Sequence, residues 1–312
     1  MTRVGVVDLG TNSTRLLVAD VEDGVVSELD RRLEITRLGE GVDARRQLLP
    51  EAVARVRNVL ADYRRAVEEL AAERTLAFAT SAVRDAENGE AFLGEIEWSY
   101  GFETRLLTGH EEALLTFRGV ATGRAVEEDT LVVDVGGGST ELILGGPGGV
   151  SFHESYDLGC VRLTERFPGD PAGAAAHVRS TLDERVPAEV RPTRALGVAG
   201  TITQLATLDL GLEREEPDVV HGHALATETV AAQLERLSTL SVDEIRRERG
   251  MHPDRAPVIV AGAVVVLETL RHFGLDQLEV SERDIMHGAA LAAAALPKPA
   301  EGDAPPGAFT CC

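Results

Sequence analysis

A chain of 312 residues is too long for one ordinary hydrophobic core and suits two α/β domains. A hydrophobic content of 44% is that of a globular protein, whereas an aromatic content of 4% argues against stacking platforms for bases or sugars. A formal net charge of −21 excludes a surface that holds nucleic acid non-specifically, so any positive charge for a polyanionic ligand must be local.

The first half opens with strand-like segments over 4–8, 14–21, 25–29 and 32–38. Val53, Val56, Leu60, Tyr63, Val67 and Leu70 recur at spacings of three and four, which predicts an amphipathic helix over 50–71. A strand over 75–80, a helix over 87–98, a strand over 103–107 and a helix starting near Gly109 follow. The polar stretch 124–129 divides the chain into a first domain, 1–124, and a second, 125–296. The second half repeats strand, turn, strand over 130–134 and 141–144, with a further strand over 151–156. Helices are expected over 171–186, 201–209, 226–237 and 255–272, and strands over 194–198 and 277–281. Gly197 to Thr203 forms a strand–Gly turn–helix junction. Ser281 and Asp284 fit the N-cap and acidic first turn of a last helix, 284–296. The Pro-, Ala- and Gly-rich tail 297–312 is expected to be disordered.

Two of these strand pairs carry one pattern. Val7-Asp8-Leu9-Gly10-Thr11-Asn12-Ser13-Thr14-Arg15 and Val133-Asp134-Val135-Gly136-Gly137-Gly138-Ser139-Thr140-Glu141 are each an apolar run, an Asp, a tight Gly/Ser/Thr turn and a second strand. Such a turn offers a cluster of backbone N–H and hydroxyl donors, the equipment for holding phosphate. Gly10 and Gly136, Gly137 and Gly138 let the backbone approach phosphate oxygens without a Cβ in the way. Thr11, Ser13, Ser139 and Thr140 add hydroxyls. Asp8 and Asp134 stand where a Mg2+ bridging to phosphate would be held. One such hairpin could be an ordinary glycine-bearing turn. Two in matching order point to a duplicated architecture that grips phosphates from both sides of a cleft between domains.

Thr108 and Glu111 have the spacing of a capping box, which gives Glu111 a structural task and leaves Glu112 to project further round the helix. A carboxylate near phosphate and metal is a natural base or water-positioner, the alternative being a solvated helix-surface glutamate. Arg84, in Thr80-Ser81-Ala82-Val83-Arg84-Asp85, offers either a bidentate grip on phosphate or a salt bridge to Asp85 or Glu87. His221-Gly222-His223 lacks a third ligand at a typical zinc spacing and reads as a loop or helix entry. The three cysteines form no disulfide framework; Cys160 reads as a small buried residue, and the terminal Cys311-Cys312 lacks the usual prenylation form. No signal peptide and no sufficiently long apolar run are seen, so a cytoplasmic location away from membranes is expected.

Taken in order, Val7 to Ser13, Ala79 to Ala86, Gly109-His110-Glu111-Glu112-Ala113, Val133 to Leu142, Leu158 to Glu165, Gly197 to Thr203 and Pro253-Asp254-Arg255-Ala256 resemble the exopolyphosphatase / guanosine pentaphosphate phosphohydrolase (Ppx/GppA) family. The likeness runs over about 3–296. It implies an α/β chain with the duplicated actin-like ATPase (ribonuclease H-like) fold, two domains around a central cleft, and Mg2+-assisted release of terminal phosphate from polyphosphate, with Mn2+ as the alternative ion. By the same resemblance, Glu112 is the catalytic glutamate, and Asp134, with Glu141 in the same motif, is the metal-associated aspartate. The phosphate loops fall on Gly10, Thr11, Asn12 and Ser13 and on Gly136 to Thr140. Arg84, Arg15 and Arg255 fall at positions suited to substrate phosphates. A homodimer is implied as well. The sequence resembles the short two-domain form of the family, which favours short polyphosphates or guanosine pentaphosphate over long polymers. A small-molecule kinase would share the first loop but would not explain Gly109 to Ala113, and a pure polyphosphate or alarmone sensor would not need Glu112 and Asp134.

Overall fold

The computed structural model describes residues 1–296, so the tail 297–312 with Cys311 and Cys312 lies outside the described residues. The chain forms two compact units, one built from Met1–Gly123 with the segment beginning at Ile285, the other from Arg124–Asp284.

In the first unit, β1 (Thr2–Leu9), β2 (Thr14–Glu22) and β3 (Val25–Glu34) form an antiparallel meander. After α1 (Val42–Arg45) and α2 (Pro50–Glu69) come β4 (Arg74–Ala79), α3 (Ser81–Asp85), α4 (Gly89–Tyr100), β5 (Glu103–Leu106) and α5 (Gly109–Val120). The sheet order is β3-β2-β1-β4-β5, with β4 parallel to β1 and β5 parallel to β4. Both faces of β1 are covered, which is why it reads as a nearly continuous apolar run. On one face α2 buries the expected stripe of Val53, Val56, Leu60, Tyr63 and Val67, starts on Pro50 and is pinned by the Tyr63 hydroxyl, which donates to Thr14 C=O at 2.9 Å. The expected strands 25–29 and 32–38 are replaced by one strand, β3, which ends at Glu34, and a bulge opposite Val18 and Ala19 takes up the irregularity.

In the second unit, β6 (Thr130–Val135), β7 (Thr140–Gly146) and β8 (Gly149–Tyr156) repeat the meander. Then follow α6 (Cys160–Arg166), α7 (Pro171–Arg185), β9 (Arg194–Val198), α8 (Gly200–Asp209), α9 (Pro217–Val220), β10 (Ala224–Ala226), α10 (Thr227–Ser238), α11 (Val242–Ile245), α12 (Ile259–Phe273) and β11 (Gln277–Val280). The order β10-β11-β9-β6-β7-β8 contains the first sheet's pattern again, with β9 parallel to β6, β11 parallel to β9, and β10 added antiparallel at the edge. Two copies of a mixed sheet in which three antiparallel strands precede two parallel ones make this a duplicated ribonuclease H-like sheet, the actin-like ATPase fold. The helix expected from residue 255 begins only at Ile259, after turns around Pro257.

The last helix, α13 (Ile285–Ala295), departs from the expected division at 125–296, for it packs in the first unit. Ile285, Met286, Ala289, Ala290 and Ala293 cover the face of β1, β2 and β4 made by Val4, Val6, Leu17, Ala19, Leu76 and Phe78. Gly288 lets α13 lie close against α5 as well, since a Cβ there would stand 1.9 Å from Leu115 C=O. Buried His287 bonds Glu28 at 2.9 Å. The expected cap also differs: Ser281 bonds Arg283, accepting from its N–H at 3.2 Å and donating to its C=O at 2.8 Å, and Asp284 precedes the first helical residue. Among the described residues no helix is long and apolar enough to cross a membrane.

Candidate active site

In the first unit the turn after β1 closes with Gly10 N–H donating to Ser13 C=O at 3.0 Å. Its carbonyls face inward: Gly39 N–H donates to Thr11 C=O at 2.8 Å and Arg37 N–H to Asn12 C=O at 2.9 Å. Thr11 Oγ1 meets Ser81 Oγ at 3.0 Å, which ties this turn to the segment bearing Arg84. Asp8 sits opposite Arg15 in the β1–β2 register, and Arg15 donates to Asp8 Oδ2 from Nε at 2.8 Å, with Nη2 at 2.7 Å. Arg15 is therefore engaged by a carboxylate, and the negative charge of Asp8 is balanced from within the hairpin.

The start of α5 follows the expected capping box. Thr108 Oγ1 accepts from Glu111 N–H at 3.2 Å, and Glu111 Oε2 accepts from Thr108 N–H at 2.8 Å. The bonds from the Thr108 backbone, then from its hydroxyl, hold the Glu111 carboxyl below the usual carboxylate range. Glu112, one position on, is only 7% exposed, so it is no solvated surface residue. Arg84 lies beside it, Nη1 being 3.5 Å from Glu112 Oε2 and donating to Leu107 C=O at 2.8 Å. Both contacts use Nη1, which leaves Nε–H and Nη2 as the donors of the guanidinium fork for an incoming anion. The pairing with Glu112 stands where Asp85 or Glu87 was the sequence-based alternative.

The second unit repeats the turn, Gly136 N–H donating to Ser139 C=O at 3.0 Å. Thr140 Oγ1 donates to Leu158 C=O at 2.9 Å, so this hydroxyl braces the loop. Asp134 faces Glu141 in the β6–β7 register, at the pair of positions held by Asp8 and Arg15 in the first hairpin. Both carboxylates are buried, Glu141 to 1% exposure, and directly opposed like charges in a sheet repel. Glu141 Oε1 accepts from Ser155 Oγ at 2.7 Å, and Ser155 is its cross-strand neighbour on β8. Ser155 was not singled out from the sequence; only the antiparallel register reveals it.

At the β9–α8 junction Ala199 has φ 70° and ψ 167°, a conformation that residues with a Cβ rarely adopt. The Arg255 guanidinium lies over the start of α8, with Nη1 1.4 Å from where a Cβ on Gly200 would stand. Cys160 is buried, and burial pushes its thiol above the ordinary value against a hydrogen bond to Thr201. Gly222 adopts φ 82° between His221, whose Nδ1 accepts from Glu282 N–H at 3.2 Å, and His223, whose Nε2 lies 2.7 Å from Asp209.

Asp134 and Glu141 are the carboxylate pair whose chemistry fits a hard cation. Among the described residues no group of three or more His, Cys, Asp or Glu is arranged to hold a metal by itself. A cation on two carboxylates would complete its shell with water and phosphate oxygens, as Mg2+ does and structural Zn2+ does not.

The sequence profile of the Ppx/GppA phosphatase family matches residues 17–295. Exopolyphosphatase 2 of Mycobacterium tuberculosis is 39% identical over 319 aligned positions, which take in 94% of this chain and 99% of the relative. The crystal structure of an exopolyphosphatase-like protein aligns with a TM-score of 0.86 at 32% identity, covering 93% of this chain and 98% of the other. The crystal structure of the Aquifex aeolicus member of the Ppx/GppA family aligns at 0.79 and 31% identity, covering 93% and 97%. With a profile match over most of its length and relatives aligned nearly end to end, the chain belongs to the Ppx/GppA phosphatase family.

Proposed function

We propose that this protein is an exopolyphosphatase, hydrolysing the terminal phosphoanhydride of inorganic polyphosphate to release orthophosphate. The observation that carries the reading is Glu112, a buried carboxylate in the first turn of α5 with Arg84 beside it at 3.5 Å, while Glu111 is held in the capping box. A buried carboxylate with a guanidinium beside it is an arrangement that suits a chemical task. Glu112 takes a proton from a water molecule as the water oxygen attacks the terminal phosphorus. The bond from phosphorus to the bridging oxygen breaks, and its electron pair leaves on the shortened polyphosphate. Arg84 holds equatorial phosphate oxygens from Nε and Nη2, where charge accumulates in the transition state. The backbone N–H groups of Thr11 to Ser13 and of Gly137 to Ser139 bind phosphate oxygens, as oriented amides do, while Gly10 and Gly136 N–H close the turns. Asp134 and Glu141 would hold Mg2+, with Mn2+ as the alternative; when bound, the ion offsets phosphate charge. Arg255 and Arg15 are proposed as further phosphate contacts, Arg15 requiring release from Asp8. Asp8 is the weaker metal candidate, because Arg15 balances its charge.

Guanosine pentaphosphate undergoes the same reaction with a different leaving group, and the family name covers both substrates. The test is phosphate release from polyphosphates of defined length, from guanosine pentaphosphate, and from ATP with candidate sugars. Release from polyphosphate at the higher kcat/KM is expected. Phosphorylated sugar as the product, or binding of polyphosphate without release, would replace this reading with a kinase or a sensor. The proposal includes a homodimer, tested by sedimentation equilibrium, and a cytoplasmic location, tested by cell fractionation.

A further inference from the structure

Three successive glycines make Gly136–Ser139 a turn with little conformational preference of its own. Such a turn is ready for an anion only if its surroundings fix it. All three glycine carbonyls are held from the start of α6. Cys160 N–H donates to Gly136 C=O at 3.0 Å, while Val161 and Arg162 N–H donate to Gly137 C=O at 2.8 and 3.2 Å. The third, Gly138 C=O, is held by a side chain, accepting from Arg162 Nε–H at 2.8 Å. The packing is close: a Cβ on Gly159 would stand 2.2 Å from Gly137 C=O.

The first hairpin provides an internal comparison. There the carbonyls of Thr11 and Asn12, which match Gly137 and Gly138, are both held by backbone amides, those of Gly39 and Arg37. The second hairpin uses a guanidinium where the first uses a peptide N–H. Arg162 is 8% exposed, and its bond to Gly138 C=O is made in the interior of the unit. In a trans peptide the C=O and the following N–H point in opposite directions, and no peptide bond among the described residues is cis. Holding Gly138 C=O toward α6 therefore turns Ser139 N–H away from it, and the backbone bonds do the same for Gly137 and Gly138 N–H.

We propose that Arg162 is a positioning residue that orders the Gly136–Ser139 turn so that its N–H groups are preset for phosphate. This rests on reading the turn as phosphate-binding, as in the proposed function. Its test is hydrogen exchange of the substrate-free protein, followed by kinetics on polyphosphate. In Arg162→Gln, amides of 136–140 should exchange at least about tenfold faster while the β9 segment 194–198 stays as in the wild type. KM for polyphosphate should rise about tenfold with kcat changed less than about threefold, the pattern of lost uniform binding. Arg162→Lys should behave like Gln, because a methylene replaces the Nε–H donor. Unchanged exchange in the turn, equal acceleration of turn and β9, or full rescue by Lys would each overturn the proposal. If Arg162→Gln does not fold, Arg162→Lys decides by the same exchange measurement. If the wild type releases no phosphate, the proposed function fails, while the exchange result still decides the role of Arg162.

Discussion

Adjacent glutamates at the start of α5 differ in environment because neighbouring positions on a helix point about 100° apart. Glu111 folds back onto Thr108, whereas Glu112 turns into the unit beside Arg84. Glu112→Gln should keep the melting temperature within a few degrees but lower turnover by roughly 10²–10⁴-fold, the usual loss when a general base is removed. Steady-state phosphate release checks it, and turnover near that of the wild type would move the role to another carboxylate. Asp134 and Glu141 form the other residue-scale contrast, because the first hairpin has Arg15 where the second has Glu141. Asp134→Asn should raise the Mg2+ needed for half-activation and weaken Mg2+ binding in calorimetry. Ser155→Ala, which removes the hydroxyl from Glu141, should do the same more mildly, by roughly 10–100-fold. Identical metal titrations in the wild type and Asp134→Asn would remove Asp134 from the metal role.

At the scale of elements, the capping box of α5 links pH to stability. Glu111 is held below its ordinary range in the folded chain by bonds from Thr108. Its contribution is therefore complete above the unfolded value, roughly pH 4.3, and is lost as pH falls through the lower folded value. Glu111→Ala should destabilise by roughly 0.3–1 kcal/mol at neutral pH, the scale of a carboxylate in a helix first turn. The melting-temperature gap between wild type and variant should hold from pH 7 to about pH 5 and narrow below about pH 4. A gap that is constant down to pH 3 would mean that the charge of Glu111 does not contribute. The same helix start thus uses one glutamate to order the backbone that carries the other.

At the scale of the whole molecule, the chain crosses into a second unit and then returns, through α13, to finish the core of the first. Burying Ile285 and Met286 alone is worth about 1.5–3 kcal/mol each, an upper figure since unfolded chains already bury some surface. A fragment ending at residue 123 would leave Val4, Val6, Leu17 and Phe78 uncovered. It should bind a hydrophobic dye and precipitate, whereas the same fragment joined by a flexible linker to 285–296 should stay soluble with a cooperative melt. A fragment 1–123 that melts cooperatively without the helix would show that α13 is dispensable for that core.

The local features were legible because local chemistry determines them. The paired turns after β1 and β6 depend on Gly, Ser and Thr at fixed offsets, α2 on its apolar period, and the Thr108–Glu111 box on a three-residue spacing. The family, and with it the duplicated fold, was legible in the order of such motifs along the chain. What required the tertiary structure was every pairing between distant segments. Helical spacing separates Glu112 from Glu111 but does not say that Glu112 is buried or that Arg84, 28 residues away, lies against it. Neither the bond of Ser155 to Glu141 nor that of Arg162 to a glycine carbonyl leaves a mark in periodicity, because strand register and loop packing create them. For the same reason α13, apolar on nearly every side, carried no address: its hydrophobicity required that it be covered, and only packing against β1, β2 and β4 decided where.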